Sequence, residues 1–415
     1  MKIYAIKASA QSAFKDYKQA MGAPPQSINA LAAAAPDWAC VKTLDETSQA
    51  PANLHEPADL VIICMSTPDA LRGYELAAAF RQRGIPVIFG GLHPSFMSEE
   101  ALQHGDAVIC GEAEQLLPAV LQDFRNHRLQ RIYRNEAPVS IQRMRPYPQA
   151  LIDLNAYGGL NSVMVSRGCK FKCEFCTVHK FFPTFHYRPV GEIVDEIKAS
   201  GGQYFELHAD NLIADRDYAM ELFAALKPLN IYWLAEATLN IAEYPDILEA
   251  AAESGLFYLL IGLETPSQTA LDAAGKKFIR INRAKENIAR LHEYKIAVDS
   301  AMIFGFDQHN EDIFEESLDF VADIQLDHCD SVILTPFPGT DLFSRYQREG
   351  RILTRDWSKY DCNHAVFQPA QMTPAQLEQG AEWFAREYNS LGRTLKRYWR
   401  RQNNLGWQWQ SLTGQ

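Results

Sequence analysis

Three cysteines fall on one short stretch, Ser166-Arg167-Gly168-Cys169-Lys170-Phe171-Lys172-Cys173-Glu174-Phe175-Cys176, in the spacing CxxxCxxC. A 4Fe–4S cubane takes four ligands, and electron-transfer ferredoxins usually supply four cysteines. Three thiolates on one tight loop leave one iron open to a substrate, as a catalytic metal site requires. Free thiols titrate near about 8.5, so iron must displace their protons and cluster loading should weaken in acid. The competing reading is zinc, with His179, three residues past Cys176, as a fourth ligand. The remaining five cysteines, Cys40, Cys64, Cys110, Cys329 and Cys362, are scattered singly. Cys64 and Cys110 lie in apolar runs and read as small buried thiols.

Strand and helix signals alternate in two blocks. In the first, residues 59–65, 85–91 and 106–112 are short β-branched runs suited to buried parallel strands. A helical stretch between them offers Leu71, Tyr74, Leu76 and Phe80 as its apolar face. This is the pattern of a doubly wound, Rossmann-like parallel sheet, whose ligands bind beyond the carboxyl ends of the strands. Ser66, Thr67, Gly90, Gly91, Gly111 and Glu112 sit at those ends, and glycine there lets a backbone approach a large ligand closely. Residues 136–160 are polar and proline-bearing (Pro138, Pro146, Pro148) and read as a linker. The second block repeats a strand–helix unit six times, with strands over 161–166, 203–207, 231–237, 256–262, 296–306 and 331–336. Six units predict a partial (β/α) barrel with its site at the C-terminal strand ends, where the cysteine loop falls and zinc is disfavoured. The expected organisation is an α/β chain: sheet 1–135, linker 136–160, barrel 161–345, and a helical C-terminal extension 346–415. In that extension 374–399 reads as one long amphipathic helix, and Trp357, Tyr360, His364 and Phe367 as core in preference to pocket lining.

The balance of 47% hydrophobic and 22% charged residues in 415 is that of an ordinary globular protein of two or three domains. A net charge of −11 argues against a nucleic-acid partner, since phosphate backbones select basic faces. The basic run 393–401 reads as a solvated helix face. No apolar run reaches the roughly 20 residues a membrane span needs. The N-terminus reads as a first strand rather than a secretory leader, and the expected location is cytoplasmic.

CxxxCxxC with Phe175 before the last cysteine resembles the signature of the radical S-adenosylmethionine (SAM) superfamily. The chain is similar throughout to the subgroup with an N-terminal cobalamin-binding domain, which includes hopanoid methylases. The similarity runs through Pro24-Pro25, GGLHP at 90–94, CGEAE at 110–114, RPVGEIVDEI at 188–197, LTPFPGT at 334–340 and TRDWSKYD at 354–361. The resemblance implies a 4Fe–4S cluster on Cys169, Cys173 and Cys176 whose open iron chelates SAM. One electron then splits the sulfonium to a 5′-deoxyadenosyl radical, supplied by a flavodoxin- or ferredoxin-type donor. It implies cofactor contacts from Phe175, Asp210, Asn211, Glu236, Thr238 and Glu264, and, where cobalamin binds, from Ser66, Thr67, Gly90, Gly91, Gly111 and Glu112. Where relatives often carry two acidic residues before the asparagine, this chain has His208-Ala209-Asp210-Asn211. The DxHxxG motif that supplies cobalt with a histidine is absent, as is common in the subgroup, and His93 reads as a loop hydrogen bond instead. The implied activity is methyl transfer to an unactivated carbon of a small or lipid-like substrate. The alternatives are a non-methylating radical reaction (cyclisation, rearrangement or unusual SAM cleavage) and a non-catalytic iron–sulfur protein.

Overall fold

The computed structural model describes residues 1–10, 23–47, 51–136 and 154–401, with 139, 141 and 145 between. Most of the expected linker, with Pro138, Pro146 and Pro148, lies outside the described residues, as does the chain past 401. The first sheet is built from β1 (Lys2–Lys7), α1 (Gln26–Ala34), β2 (Cys40–Asp45), β3 (Leu60–Cys64), α2 (Ala70–Gln82), β4 (Val87–Gly90), α3 (Leu92–Phe96), α4 (Ser98–His104), β5 (Ala107–Cys110), α5 (Leu117–Arg125) and β6 (Ile132–Arg134). Its strands run in the order β2-β1-β3-β4-β5-β6, every pairing parallel. β3, Leu-Val-Ile-Ile-Cys, is buried at every position because helices cover both faces. Cys64 and Cys110 are buried there as expected. Leu71 departs from expectation: it is 42% exposed, because α2 turns Tyr74, Leu76 and Phe80 inward instead.

The barrel half comprises β7 (Asn161–Met164), a separate antiparallel pair β8 (Ser166–Arg167) and β9 (His186–Tyr187) around α6 (Val178–Phe181), then α7 (Val190–Ser200), β10 (Tyr204–His208), α8 (Arg216–Leu226), β11 (Tyr232–Ala237), α9 (Pro245–Glu253), β12 (Leu256–Glu264), α10 (Gln268–Ala273), α11 (Ala284–Glu293), β13 (Ala297–Phe304), α12 (Ile313–Asp323) and β14 (His328–Ile333). Six parallel strands in the order β7-β10-β11-β12-β13-β14 make the open, partial barrel that six units imply. Helix starts are written locally: Asp215 caps α8 by accepting from Tyr218 N at 3.2 Å. β14 begins three residues earlier than its apolar run, since His328 pairs with a buried Asp299 on β13 at 3.1 Å and lies 4.0 Å from Asp330.

Beyond the barrel come α13 (Asp341–Arg348), α14 (Pro374–Tyr388) and α15 (Leu391–Arg401). The expected single long helix is two, interrupted at Asn389-Ser390; asparagine favours helix ends over interiors. α14 starts in a capping box between Thr373 and Gln376 and packs on β14. No described helix is long and apolar enough to cross a membrane.

Candidate active site

The cysteine loop leaves β8 through Gly168, at φ +83°, where a Cβ would lie 2.7 Å from Thr184 O. Only glycine takes that turn without strain. Gly168 N donates to Asp210 Oδ2 at 2.8 Å, so the end of β10 holds the start of the loop. Farther along, Glu174 N donates to Ala274 O at 3.0 Å, and Leu342 N on α13 donates to Glu174 O at 3.0 Å. Arg345 grips the Glu174 carboxylate with two bonds, at 2.6 and 3.1 Å, and reaches Asp307 at 2.8 Å.

Burial raises all three thiols, Cys173 to about 11 and Cys176 to about 12, and the sulfurs repel one another's charge. Lys276 opposes that shift at Cys169 and Cys173. The trio is therefore close enough to interact, yet not collapsed. Among the described residues, no three of Cys169, Cys173, Cys176 and His179 bring ligand atoms within 4.8 Å of one another. Tetrahedral zinc with bonds of about 2.3 Å would hold its sulfurs about 3.8 Å apart. A cubane, by contrast, places each cysteine on its own iron.

The strand ends behind the loop are acidic. Asn211 is 3% exposed, and its Oδ1 is buried with no hydrogen-bond partner. A buried orphan acceptor fits the ammonium of SAM, which needs acceptors. Burial raises the Asp210 carboxyl, with His208 and the Gly168 amide pulling the other way. Glu236 is exposed at the end of β11 yet ringed by charge; desolvation, Asp210, Glu206 and Glu264 push it to about 7, against His208. Thr238 is spent locally, its hydroxyl donating to Asn240 as the following turn begins. Glu264, at φ +65°, ion-pairs with Lys276 inside the barrel. Phe175 lies edge-on to Phe306 and lines a separate cavity of about 230 Å³ with Glu174 and Arg345, not the principal one.

That principal cavity, of about 470 Å³, lies between the two sheets. Ser66, Thr67, Gly90, Gly91, Gly111 and Glu112 all line it from the first sheet; Met164, Arg167 and His208 line it from the barrel. Its wall is mostly apolar, with Phe96, Phe181, Phe182 and Phe337 contributing. At Gly91, φ +95°, a Cβ would stand 2.8 Å from Met65 O, so the bare backbone there is required by the fold and leaves the wall low. A low, glycine-edged apolar wall fits a large flat macrocycle such as a corrin. Ser66 donates to Asp69, and Glu112 is ion-paired with Arg167 at 2.8 Å, so these two shape the wall through their partners. Burial raises the Glu112 carboxyl in spite of Arg167.

His93 is fully buried and does not line the cavity. Its Nε2 sits 3.2 Å from Tyr74 Oη and 3.5 Å from Glu100, and its Nδ1 3.4 Å from Thr67 Oγ1. Trp357 Nε1 donates to the same Glu100 at 2.7 Å. Trp357 and Tyr360 thus join the core of the first sheet, and Phe367 that of the barrel, as expected; His364, expected in the core with them, is exposed instead, because Asp361 holds its ring at the surface at 2.9 Å. His208 faces the cavity. Burial disfavours its charge, but Glu206, at 3.4 Å, with Asp210 and Glu236 more than compensates and lifts it to about 9. Sequence reasoning did not reach Arg167, Lys276 or Arg345. Arg167 and Arg345 pair with carboxylates far off in sequence, and Lys276 sits in an ordinary-looking Lys-Lys pair.

A six-unit barrel thus carries three cysteines on the loop after its first strand and an orphan acceptor after its second. Residues 163–321 match the family model described as the radical SAM superfamily, and the chain carries that domain. It is 28% identical to the bacteriochlorophyllide d C-12(1)-methyltransferase of Chlorobaculum tepidum, over 85% of this chain and 78% of that one. It is 27% identical to the hopanoid C-2 methylase of Rhodopseudomonas palustris, over 80% of this chain and 66% of that one. The structure of the radical SAM methyltransferase TsrM from Kitasatospora setae, with cobalamin and a [4Fe-4S] cluster bound, has the same fold. The TM-score is 0.68 at 14% identity, covering 84% of this chain and 75% of that one.

Proposed function

We propose that the protein is a cobalamin-dependent radical SAM methyltransferase acting on an unactivated carbon of an apolar, small or lipid-like substrate. The observation that carries this reading is a cavity walled by glycine strand ends on one side and by the cysteine-loop barrel on the other. Residues 1–135 hold the corrin, 161–345 hold cluster and SAM, and the extension braces both through 346–401, with 136–160 as linker. When bound, the cluster with SAM supplies hydrogen-atom abstraction and cobalamin a transferable methyl group. The chain's own part is positioning. Cys169, Cys173 and Cys176 hold the cluster, Asn211 and Asp210 take the SAM ammonium, and Glu236 meets its polar groups. The phenylalanines of the cavity keep water from a reactive carbon centre. His208, charged at neutral pH, faces the space left for substrate. Relatives are named as methyltransferases of bacteriochlorophyllide d and of hopanoids, which supports a carbon methyl acceptor here too. The electron donor is a flavodoxin- or ferredoxin-type protein.

The test is to incubate anaerobically reconstituted protein with cobalamin, methyl-deuterated SAM, dithionite and apolar extracts. A product carrying the label, together with 5′-deoxyadenosine, is expected. 5′-Deoxyadenosine without any labelled product would replace methyl transfer by another radical reaction.

A further inference from the structure

Around the cysteine loop most cations are engaged. Lys170 reaches Asp215 at 3.8 Å and Ala214 O at 2.7 Å, Lys180 pairs with Asp341 at 2.7 Å, Lys276 with Glu264, and Arg345 with Glu174 and Asp307. Lys172, Lys277 and Arg280 are different: all three are exposed, and none has a carboxylate partner among the described residues. Lys172 stands inside the loop, directly before Cys173; Lys277 and Arg280 stand in the segment after α10 that packs on it. A Cβ at Gly275 would lie 3.2 Å from Lys172 O and 3.8 Å from Cys173 Cα. The rings of Phe171 and Phe278 stack at 3.5 Å between centroids, both only partly buried, beside these cations. The chain carries −11 overall, so three unneutralised cations around an accessible aromatic pair run against its general charge.

We propose that this face of the loop docks a small acidic protein that delivers single electrons to the cluster. The inference rests on the radical SAM reading. The partner is fixed by charge complementarity, which steers encounter and sets orientation, and by place, since the patch adjoins the backbone of Cys173. One electron leaves the carrier, which is oxidised, and enters the cluster, which is reduced; no bond to the protein forms or breaks. The cavity side of the barrel stays free for substrate.

The experiment compares the reconstituted protein with the variant Lys172→Glu/Lys277→Glu/Arg280→Glu, using a flavodoxin as probe. A control carries Arg128→Glu/Lys198→Glu/Lys295→Glu, the same charge change on other exposed cations. A single Lys277→Glu variant covers the case in which the triple variant binds iron poorly. Affinity for flavodoxin should fall at least about tenfold in the triple variant and measurably in Lys277→Glu, a loss of the kind a charged rim gives. High salt should erase the difference, the control should bind like the unmodified protein, and 5′-deoxyadenosine formation driven by dithionite should not change in Lys277→Glu. Unchanged flavodoxin affinity in both patch variants, or an equal loss in the control, would overturn the docking site. No 5′-deoxyadenosine from the unmodified protein with dithionite would instead overturn the reading beneath it.

Discussion

Asn211 carries an acceptor that the fold buries and leaves without a donor. Burying such a group costs about 1–3 kcal/mol, and a bound ammonium would offset that cost. Asn211→Ala should therefore weaken SAM binding roughly 10- to 100-fold, the equivalent of about 1.5–3 kcal/mol for a hydrogen bond to a charge. Equilibrium binding of SAM checks this, and an unchanged affinity would remove Asn211 from the site. At this scale the cysteine spacing was legible because its chemistry is local: three thiols within eight residues. The Glu264–Lys276 and Arg167–Glu112 pairs were not, because their partners meet only after the sheets form.

Elements fix where those residues point. Gly168 turns the cysteine loop off β8 at a positive φ with the Thr184 carbonyl close by. Gly168→Ala should lower stability by at least about 1–2 kcal/mol through strain alone. It should also reduce iron per protein on reconstitution, read by metal analysis, whereas full iron loading would show the loop to be self-supporting. β14 makes a second case. Burial works against charge on His328, but Asp299 at 3.1 Å, with Asp330, lifts it to about 9. A histidine raised in the folded state adds stability that is complete below its unfolded value near about 6.5. That stability is lost as pH climbs toward 9. Unfolding free energy should fall over this window and fall less in His328→Asn, with His208 supplying a remaining slope of the same sign. Identical slopes would contradict the assignment. The six barrel strands were legible because each is an apolar run of strand length; β2 and β6 were not. Both are edge strands, and the β2 pattern of alternating exposure, Cys-Val-Lys-Thr-Leu-Asp, carries too little apolar sequence to announce itself.

Across the molecule, polar ties among the described residues hold the two sheets over the cavity, Gln26 reaching Ser162 on β7 among them. Arg167 joins Glu112 and Glu114 from barrel to first sheet, and Trp357 brings the C-terminal extension onto Glu100. Arg167→Met leaves Glu112 buried and uncompensated, a loss of about 3–5 kcal/mol for pairs of this kind. The thermal midpoint should fall accordingly and cobalamin retention should drop with it; retention at the unmodified level would mean the walls are placed by other contacts. How the sheets face each other was not legible, because the ties that set it lie 53 and 55 residues apart at Arg167 and 257 at Trp357. The glycine strand ends were legible singly, and the structure brings all six expected positions to one wall. The most direct measurement is the electron paramagnetic resonance spectrum of the dithionite-reduced cluster, recorded before and after SAM is added. A shift in g-values on addition, absent when Cys173→Ala abolishes the cluster, is the predicted result. A cluster signal indifferent to SAM would contradict the account.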